Sequence, residues 1–248
     1  PAMSSRYATS ASVDDALAWI GQQNGPWLCF VSFQAPHAPF HAPPASLHTQ
    51  NLPSGPPKSN CGQPTGNDPR PYYKAMVQAL DTEIGRLLAS LPARELAQTT
   101  ILFLGDNGSD PCVAAPVTNR AKSTLYQGGI HVPLLAAGYR VGRGVSDALV
   151  TSSDLFATVA ELAGVELAAT LPGHELDSIS FAPSLADPAV GLRSFAFAEI
   201  FTPNGDGNPR ALPDCPSAPV CQQDLGFDGP GSVVLASCGP PLYGLNGA

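Results

Sequence analysis

The sequence has 248 residues, which at the usual ~100–200 residues per domain allows one domain with a sizeable core. Charged residues make up 13%, against roughly 25% in ordinary soluble domains, while 27 prolines and 24 glycines indicate long irregular connections. With 12 Lys and Arg against 20 Asp and Glu, the net charge of −8 argues against a nucleic-acid partner. No apolar run approaches the ~18 residues that a membrane-spanning helix needs, so no membrane span is predicted.

The start of the chain and its cysteines bear on where the protein acts. The chain begins at Pro1 without the features of a signal peptide, so we expect a fragment of a longer protein. The 6 cysteines lack zinc-site spacing. Cys29 lies in an apolar run and is expected to be a buried thiol, whereas the others lie in loop sequence that favours disulfides of a periplasmic or secreted protein. These loop cysteines are Cys61, Cys112, Cys215, Cys221 and Cys238.

The first part of the chain predicts a helix, a strand and a long loop. Apolar residues at helical spacing, with Ser12 at the N-cap, predict a helix over 12–22. Residues 27–33 are almost all apolar and are rich in aromatic and β-branched types, a pattern typical of a strand buried on both faces in a parallel sheet. Residues 34–71 are rich in Pro, His, Gly and Ser and are too long for a simple connection, which indicates a functional loop.

The middle of the chain predicts a helix and two strands. Apolar residues at i, i+3 and i+4 spacing predict a helix that begins near Tyr72 and ends at Leu91-Pro92. A buried strand over 100–104 is followed by Asp106 and Asn107, which places two oxygen-bearing side chains where open α/β sheets bind ligands. The apolar run 132–137 predicts another strand.

The last part predicts one more helix and one more strand. Residues 154–164 have an apolar helical face and a glycine stop. Residues 194–200 are expected to form a strand, and the sequence after Phe201 is rich in Pro, Gly, Asn and Asp. We expect this tail to be poorly packed or incomplete.

Several polar residues could carry chemistry, and each has a plain structural alternative. Asp106 and Asn107 are the oxygen donors that hard divalent cations prefer, although Asp-Asn-Gly is also a common turn sequence. His37 lies between prolines and could act as a general acid or as a solvated loop residue. Lys122 precedes a run of hydroxyl residues and glycines that lets an anion approach, although it could equally be a surface lysine.

Four blocks of sequence, in this order, closely resemble the sulfatases of the alkaline phosphatase superfamily. The resemblance covers roughly residues 12–200 and favours the chemical interpretation of the four polar residues over the structural one. The blocks are Ala-Pro-His-Ala-Pro at 35–39, the helix from Tyr73 through Leu87, Asp-Asn-Gly at 106–108, and Lys-Ser-Thr-Leu-Tyr-Gln-Gly-Gly-Ile-His-Val-Pro at 122–133.

The resemblance implies a fold and a site. The fold would be an α/β three-layer sandwich with a mostly parallel central sheet, of which residues 1–200 form an incomplete, C-terminal half and 201–248 a tail. Asp106 and Asn107 would be ligands of a divalent cation, usually calcium in this family. His37 and Lys122 would contact the sulfate ester, with Lys122 neutralising sulfate oxygens and His37 serving the departing oxygen. The partner would be a sulfated small molecule or glycan.

The family's N-terminal motifs are missing from this sequence. Sulfatases have an Asp-Asp metal pair, a Cys-x-Pro-x-Arg or Ser-x-Pro-x-Arg motif that yields the formylglycine nucleophile, and a Lys-x-His pair. Asp14-Asp15 opens an amphipathic helix instead of closing a strand, so we assign it a structural role. We expect the formylglycine segment to lie upstream of this chain and the 248 residues alone to be inactive.

Two alternatives remain beside a sulfatase. A phosphodiesterase or phosphonate monoester hydrolase of the same superfamily shares the metal scaffold. A non-catalytic remnant could use the same groups only to bind an anion or glycan.

Overall fold

The computed structural model describes residues 6–58, 63–114, 120–200 and the backbone of 232–236. The chain divides into two compact units. The first unit comprises Pro1–Thr99 with Ser109–Asn119, and the second comprises Thr100–Gly108 with Arg120–Ala248.

The first unit is built on two long helices. Helix α1 spans Ala8–Ile20 and helix α2 spans Arg70–Ser90, followed by the short α3 at Ala93–Leu96. The helix predicted from Tyr72 is confirmed as α2, whereas α1 begins four residues before Ser12. The Ser12 hydroxyl donates to the carbonyl of Ala8 inside the helix, so the predicted N-cap is wrong. Helix α1 starts earlier because Thr9 extends its buried face by one turn beyond Val13.

A polar cluster joins α1 to α2. The buried carboxylate of Glu83 accepts hydrogen bonds from Ser10 at 2.8 Å and from Arg86 at 2.7 Å. Arg86 also pairs with Asp14 at 2.8 Å, and Arg6 pairs with the same carboxylate. Asp14 therefore holds two helices together, in agreement with the structural role assigned to it.

The predicted functional loop packs against α2. Phe40, Tyr72 and Met76 form a buried cluster. The Tyr72 hydroxyl lies 2.7 Å from the carbonyl oxygens of Pro53 and Gly55, which ties the loop to the helix. Apart from a 3-10 turn at Ala45–Leu47 and a bridge between Pro57 and Asn67, the described part of this loop is irregular, as expected.

The strand predicted over 27–33 is wrong in its pairing and burial. These residues form no strand within the described part of the chain. Their exposure alternates, and Leu28 and Phe30 are 65% and 85% exposed. Apolar composition predicted burial on both faces, but within the described residues one face of the segment is half-buried and the other is exposed. For the same reason Cys29 is a half-buried free thiol and not a buried one, and partial burial raises its pKa.

The second unit contains an antiparallel pair of strands. Strand β1 spans the predicted residues Thr100–Leu104 and pairs antiparallel with β2 at Leu134–Gly138, but it is half-buried and not buried as expected. The N–H of Gly105 donates to Pro133, which prolongs this pairing beyond the end of β1. The strand expected over 132–137 therefore starts two residues late, after Pro133, which has no N–H to donate.

The remaining described elements of the second unit are four helices and two strands. Helix α5 at Asp154–Leu162 confirms the helix predicted there, and Gly164 follows it with a φ of 73°. Strand β3 at Ala196–Ile200 confirms the last predicted strand and pairs in parallel with β4 at Ser232–Ala236. The short helices are α4 at Gln127–Ile130, α6 at Leu167–Thr170 and α7 at Ala182–Ala186.

The described elements include both helices and strands, so the chain is of the mixed α/β class. The described strands form two sheets of two strands, one antiparallel and one parallel. A mostly parallel central sheet and a division at residue 200 remain predictions, because residues 201–231 and 237–248 lie outside the described residues. Among the described helices, none is long and apolar enough to cross a membrane.

Candidate functional site

The turn after β1 holds the two proposed cation ligands. The Asp106 carboxylate accepts a hydrogen bond from the N–H of Asn107 at 2.9 Å. The side-chain nitrogen of Asn107 donates to the carbonyl of Gly108 at 3.0 Å, which leaves its amide oxygen as the acceptor for a ligand. Both side chains are exposed, so a cation could reach them from solvent.

Three glycines let the backbone pack tightly beside this turn. The N–H of Gly108 donates to the carbonyl of Gly129 at 2.9 Å. A β-carbon on Gly108 would overlap the carbonyl oxygen of Gly128, and one on Gly128 would overlap that of Arg120. The lack of side chains at Gly108, Gly128 and Gly129 is therefore what allows this packing.

The same glycine pair also holds the loop of Lys122. A β-carbon on Gly129 would overlap the carbonyl oxygen of Thr124, whose hydroxyl donates to Ala121 at 2.7 Å. Ser123 takes a left-handed φ of 67°, which turns the chain sharply after the half-buried Lys122. The Asp106-Asn107 turn is thus hydrogen-bonded to the Gly128-Gly129 backbone, and the Lys122 loop packs closely against it.

His37 belongs to the first unit, in the loop that packs on α2. Its Nδ1 lies 2.6 Å from the carbonyl oxygen of Ala38. Because a carbonyl oxygen can only accept, the proton sits on Nδ1, and Nε2 is left to act on a ligand. The exposed ring is therefore oriented by its own loop, which contains the cis peptide bonds before Pro36 and Pro39.

Sequence reasoning missed several residues that shape these loops. Gly128 and Gly129 belong to the fourth sequence block, but nothing in their spacing predicted their contacts with Gly108. Arg120 lies over the ring of Tyr126 at 4.8 Å, in the loop that carries Lys122. Glycines close to candidate site residues were the available signal, but spacing alone cannot tell a close backbone approach from an ordinary turn.

The donor set fits a hard cation only in part. Asp106 and Asn107 supply two oxygen donors, the ligand type that calcium prefers, whereas calcium takes about 6–8. Within the described residues, no group of three or more His, Cys, Asp and Glu side chains could hold a metal. These residues thus fit as part of a calcium site that needs further ligands.

The long loop of the first unit forms a cleft of about 450 Å³. Asn67 lines this cleft, where its side-chain nitrogen donates to the carbonyls of Ser54 and Gly55 and to the Tyr72 hydroxyl at 3.1 Å. This cleft lies in the segment 34–71, which the sequence predicts to be a functional loop.

Comparison with known proteins establishes the family. The family model described as Sulfatase matches residues 4–165, well over half of the chain. The chain therefore belongs to the sulfatase family, as its sequence blocks predicted. This family membership implies an α/β fold of the alkaline phosphatase type.

The chain is similar to arylsulfatase K from several animals. It is 31% identical to the Xenopus laevis protein over 156 residues, which cover 60% of this chain and 28% of that protein. It is 29% identical to the Homo sapiens protein over 159 residues, which cover 62% of this chain and 29% of that protein. The chain thus spans less than a third of the length of these curated relatives.

Proposed function

We propose that this chain is part of a hydrolase that cleaves sulfate esters with the help of a divalent cation, Ca²⁺. The observation that carries the proposal is the close contact of the Asp106-Asn107 turn and the Lys122 loop with the Gly128-Gly129 backbone. Family membership and the likeness to arylsulfatases support the same reaction.

The chemistry of the proposed reaction assigns a role to each residue. In sulfate ester hydrolysis, negative charge lies on the sulfate oxygens and develops on the departing oxygen. A bound cation stabilises charge on the transferring group. Asp106 and Asn107 would hold that cation, and the Lys122 ammonium would neutralise sulfate oxygens. His37 would donate a proton or a hydrogen bond to the departing oxygen through Nε2, which requires the doubly protonated ring because Nδ1 already donates to the carbonyl of Ala38.

The nucleophile is proposed to come from another segment of the protein. The sequence contains no Cys-x-Pro-x-Arg or Ser-x-Pro-x-Arg motif that could yield formylglycine. The 248 residues alone are therefore expected to bind cation and anion weakly and to turn over no ester.

We also propose a sulfated small molecule or glycan as the substrate and the periplasm or the exterior as the location. The disulfide bond of Cys112 supports the location, because disulfides persist in oxidising compartments.

The first test measures ligand binding by the chain itself. Calcium and sulfate should each raise its melting temperature, because a ligand that binds only the folded state stabilises it. Asp106→Asn should remove the calcium effect and Lys122→Ala the sulfate effect. The matched controls are Asp81→Asn and Lys74→Ala, which change exposed charges on α2. Equal effects in the site and control variants would contradict the proposed roles.

The second test concerns the reaction. The reading frame around this segment should encode a formylglycine motif, and the protein expressed from it should hydrolyse 4-nitrophenyl sulfate. Preference for bis-4-nitrophenyl phosphate would instead favour the phosphodiesterase. Anion binding without turnover of either ester would favour a binding remnant.

A further inference from the structure

Two exposed asparagines in the described residues are each followed by glycine. They are Asn24, after the end of α1, and Asn107, in the turn after β1. An Asn-Gly pair is chemically labile because glycine has no side chain to hinder attack by its own backbone nitrogen. Both sites have the same Asn-Gly dipeptide, so we look to the structure around each one for a difference in reactivity.

The reaction in question is deamidation. The backbone nitrogen of the glycine attacks the side-chain carbonyl carbon of the asparagine, so that a new N–C bond forms and the bond to the side-chain nitrogen breaks. That nitrogen leaves as ammonia and takes up the proton of the glycine N–H. Water then opens the cyclic imide to aspartate or isoaspartate. Water is the only co-reactant, and no oxidant or reductant is needed.

The structure opposes this reaction at Asn107. The N–H of Gly108, which must lose its proton, donates to the carbonyl of Gly129 at 2.9 Å. The side-chain nitrogen of Asn107, which must leave, donates to the carbonyl of Gly108 at 3.0 Å. The tight packing of Gly108 against Gly128 also prevents the backbone from shifting toward the side chain. Attack therefore requires that the backbone contact with Gly129 open first.

At Asn24 these restraints are absent or weaker. Within the described part of the chain, the N–H of Gly25 has no hydrogen-bond partner. A β-carbon on Gly25 would meet nothing within 4 Å, so the backbone there has room to move. The side-chain nitrogen of Asn24 makes only a long contact of 3.5 Å with the carbonyl of Gln22.

We propose that Asn24 is a site of spontaneous deamidation in this protein and that the Gly108–Gly129 hydrogen bond protects Asn107 from the same reaction. The functional importance of protecting Asn107 rests on the proposed function, in which Asn107 is a cation ligand. Conversion to isoaspartate there would lengthen the backbone of the turn and place a second carboxylate beside Asp106. The reaction itself does not depend on the activity of the protein.

The test compares the two asparagines inside one molecule. The 248-residue chain is incubated at mildly alkaline pH, folded in buffer or unfolded in guanidinium chloride, and digested with pepsin in acid. Mass spectrometry then measures aspartate and isoaspartate at each position. In the folded chain, Asn24 should convert at least about tenfold faster than Asn107, the factor that one hydrogen bond of ordinary strength can supply. In the unfolded chain the two rates should become similar.

A variant provides the matched control. Gly25→Ala introduces a β-carbon into open space, so the fold should be retained, while the added carbon hinders attack at Asn24. Conversion at Asn24 should slow in this variant, and conversion at Asn107 should not change. Similar rates at both asparagines in the folded chain, or an Asn24 that stays intact while the unfolded chain reacts, would overturn the proposal. Because the readout is chemical, its failure is distinguishable from failure of the proposed sulfatase function.

Discussion

At the scale of single residues, Asp154 shows how a buried charge is accommodated. Its side chain is fully buried, and the two terminal nitrogens of Arg193 lie 2.8 and 2.6 Å from its oxygens. The N–H groups of Thr151 and Ile179 donate to the same carboxylate. Burial alone would raise the pKa of Asp154, but the hydrogen bonds from Arg193 and the two N–H groups outweigh it, so the pKa lies below its usual value.

We predict that Arg193→Ala lowers the free energy of unfolding by about 3 kcal/mol, because it leaves a buried carboxylate without its counter-charge. Urea denaturation followed by circular dichroism measures the change. Arg94→Ala, which removes an exposed arginine of α3, is the control and should cost less than about 0.5 kcal/mol. Equal losses in the two variants would show that the ion pair does not stabilise the fold.

The same residue predicts a dependence of stability on pH. Since the pKa of Asp154 is lower in the folded state, its contribution is fully present above the pKa of an unfolded carboxyl, about 3.9, and is lost as the pH falls through the folded pKa. Unfolding experiments from neutral to acid pH should show this loss. In Asp154→Asn that part of the acid sensitivity should disappear, and an unchanged pH profile would contradict the assignment.

At the scale of elements, replacing glycine by alanine is expected to have opposite effects on stability in helix α2 and in the site loops. Gly85 lies in α2, and a β-carbon there would meet nothing within 4 Å. We predict that Gly85→Ala raises the free energy of unfolding by about 0.5–1 kcal/mol, because alanine loses less backbone entropy than glycine in a helix. Urea denaturation measures this change. A destabilised variant would contradict the prediction and mean that the added β-carbon meets a neighbour that the structure does not place there.

Gly129→Ala should have the opposite effect. Its β-carbon would overlap the carbonyl oxygen of Thr124, and rigid backbone cannot move aside cheaply. We predict a loss of about 2 kcal/mol or more, within the range of strained backbone substitutions. The calcium and sulfate effects on the melting temperature should weaken together, since both loops contact this glycine. Loss of only one effect would show that the two loops are held independently.

Elements differ in how well sequence alone predicted them. Helices α2 and α5 were predicted because their apolar residues recur at the helical period over one buried face. Strand β1 and the segment 27–33 are both continuous apolar runs, which have no period that tells one buried face from two, and of these only β1 forms a strand in the described residues. The start of α1 was placed too late because Ser12 imitates an N-cap while it bonds inside the helix.

At the scale of the whole molecule, burial decides which large apolar residues support the fold. Phe30 is 85% exposed although it lies in an almost wholly apolar run, whereas Phe40 is 4% exposed although it lies in the Pro- and His-rich loop. We predict that Phe40→Ala costs about 3–5 kcal/mol of unfolding free energy, since it empties a buried site. Phe30→Ala should cost less than about 0.5 kcal/mol in this chain. Equal costs in urea denaturation would mean that the segment 27–33 is packed in solution.

The candidate site was predictable as a set of residues but not as an arrangement. Asp106, Asn107, His37 and Lys122 follow from motifs in family order, and membership of the family is shown. Their roles remain predictions for the binding and turnover experiments. The contacts between Gly108, Gly128 and Gly129 had no signal in spacing, because close backbone approach depends on how distant segments pack.

The sequence by itself determined the family, the main helices, strand β1 and the candidate site residues, because motif order and hydrophobic period are local properties of the chain. Tertiary structure alone decided that 27–33 has one exposed face, that Asp154 is buried against Arg193, and that the two site loops contact the same glycines. These features join residues far apart in the chain. Burial, ion pairing and backbone contact depend on what packs opposite each residue, and no local pattern contains that information.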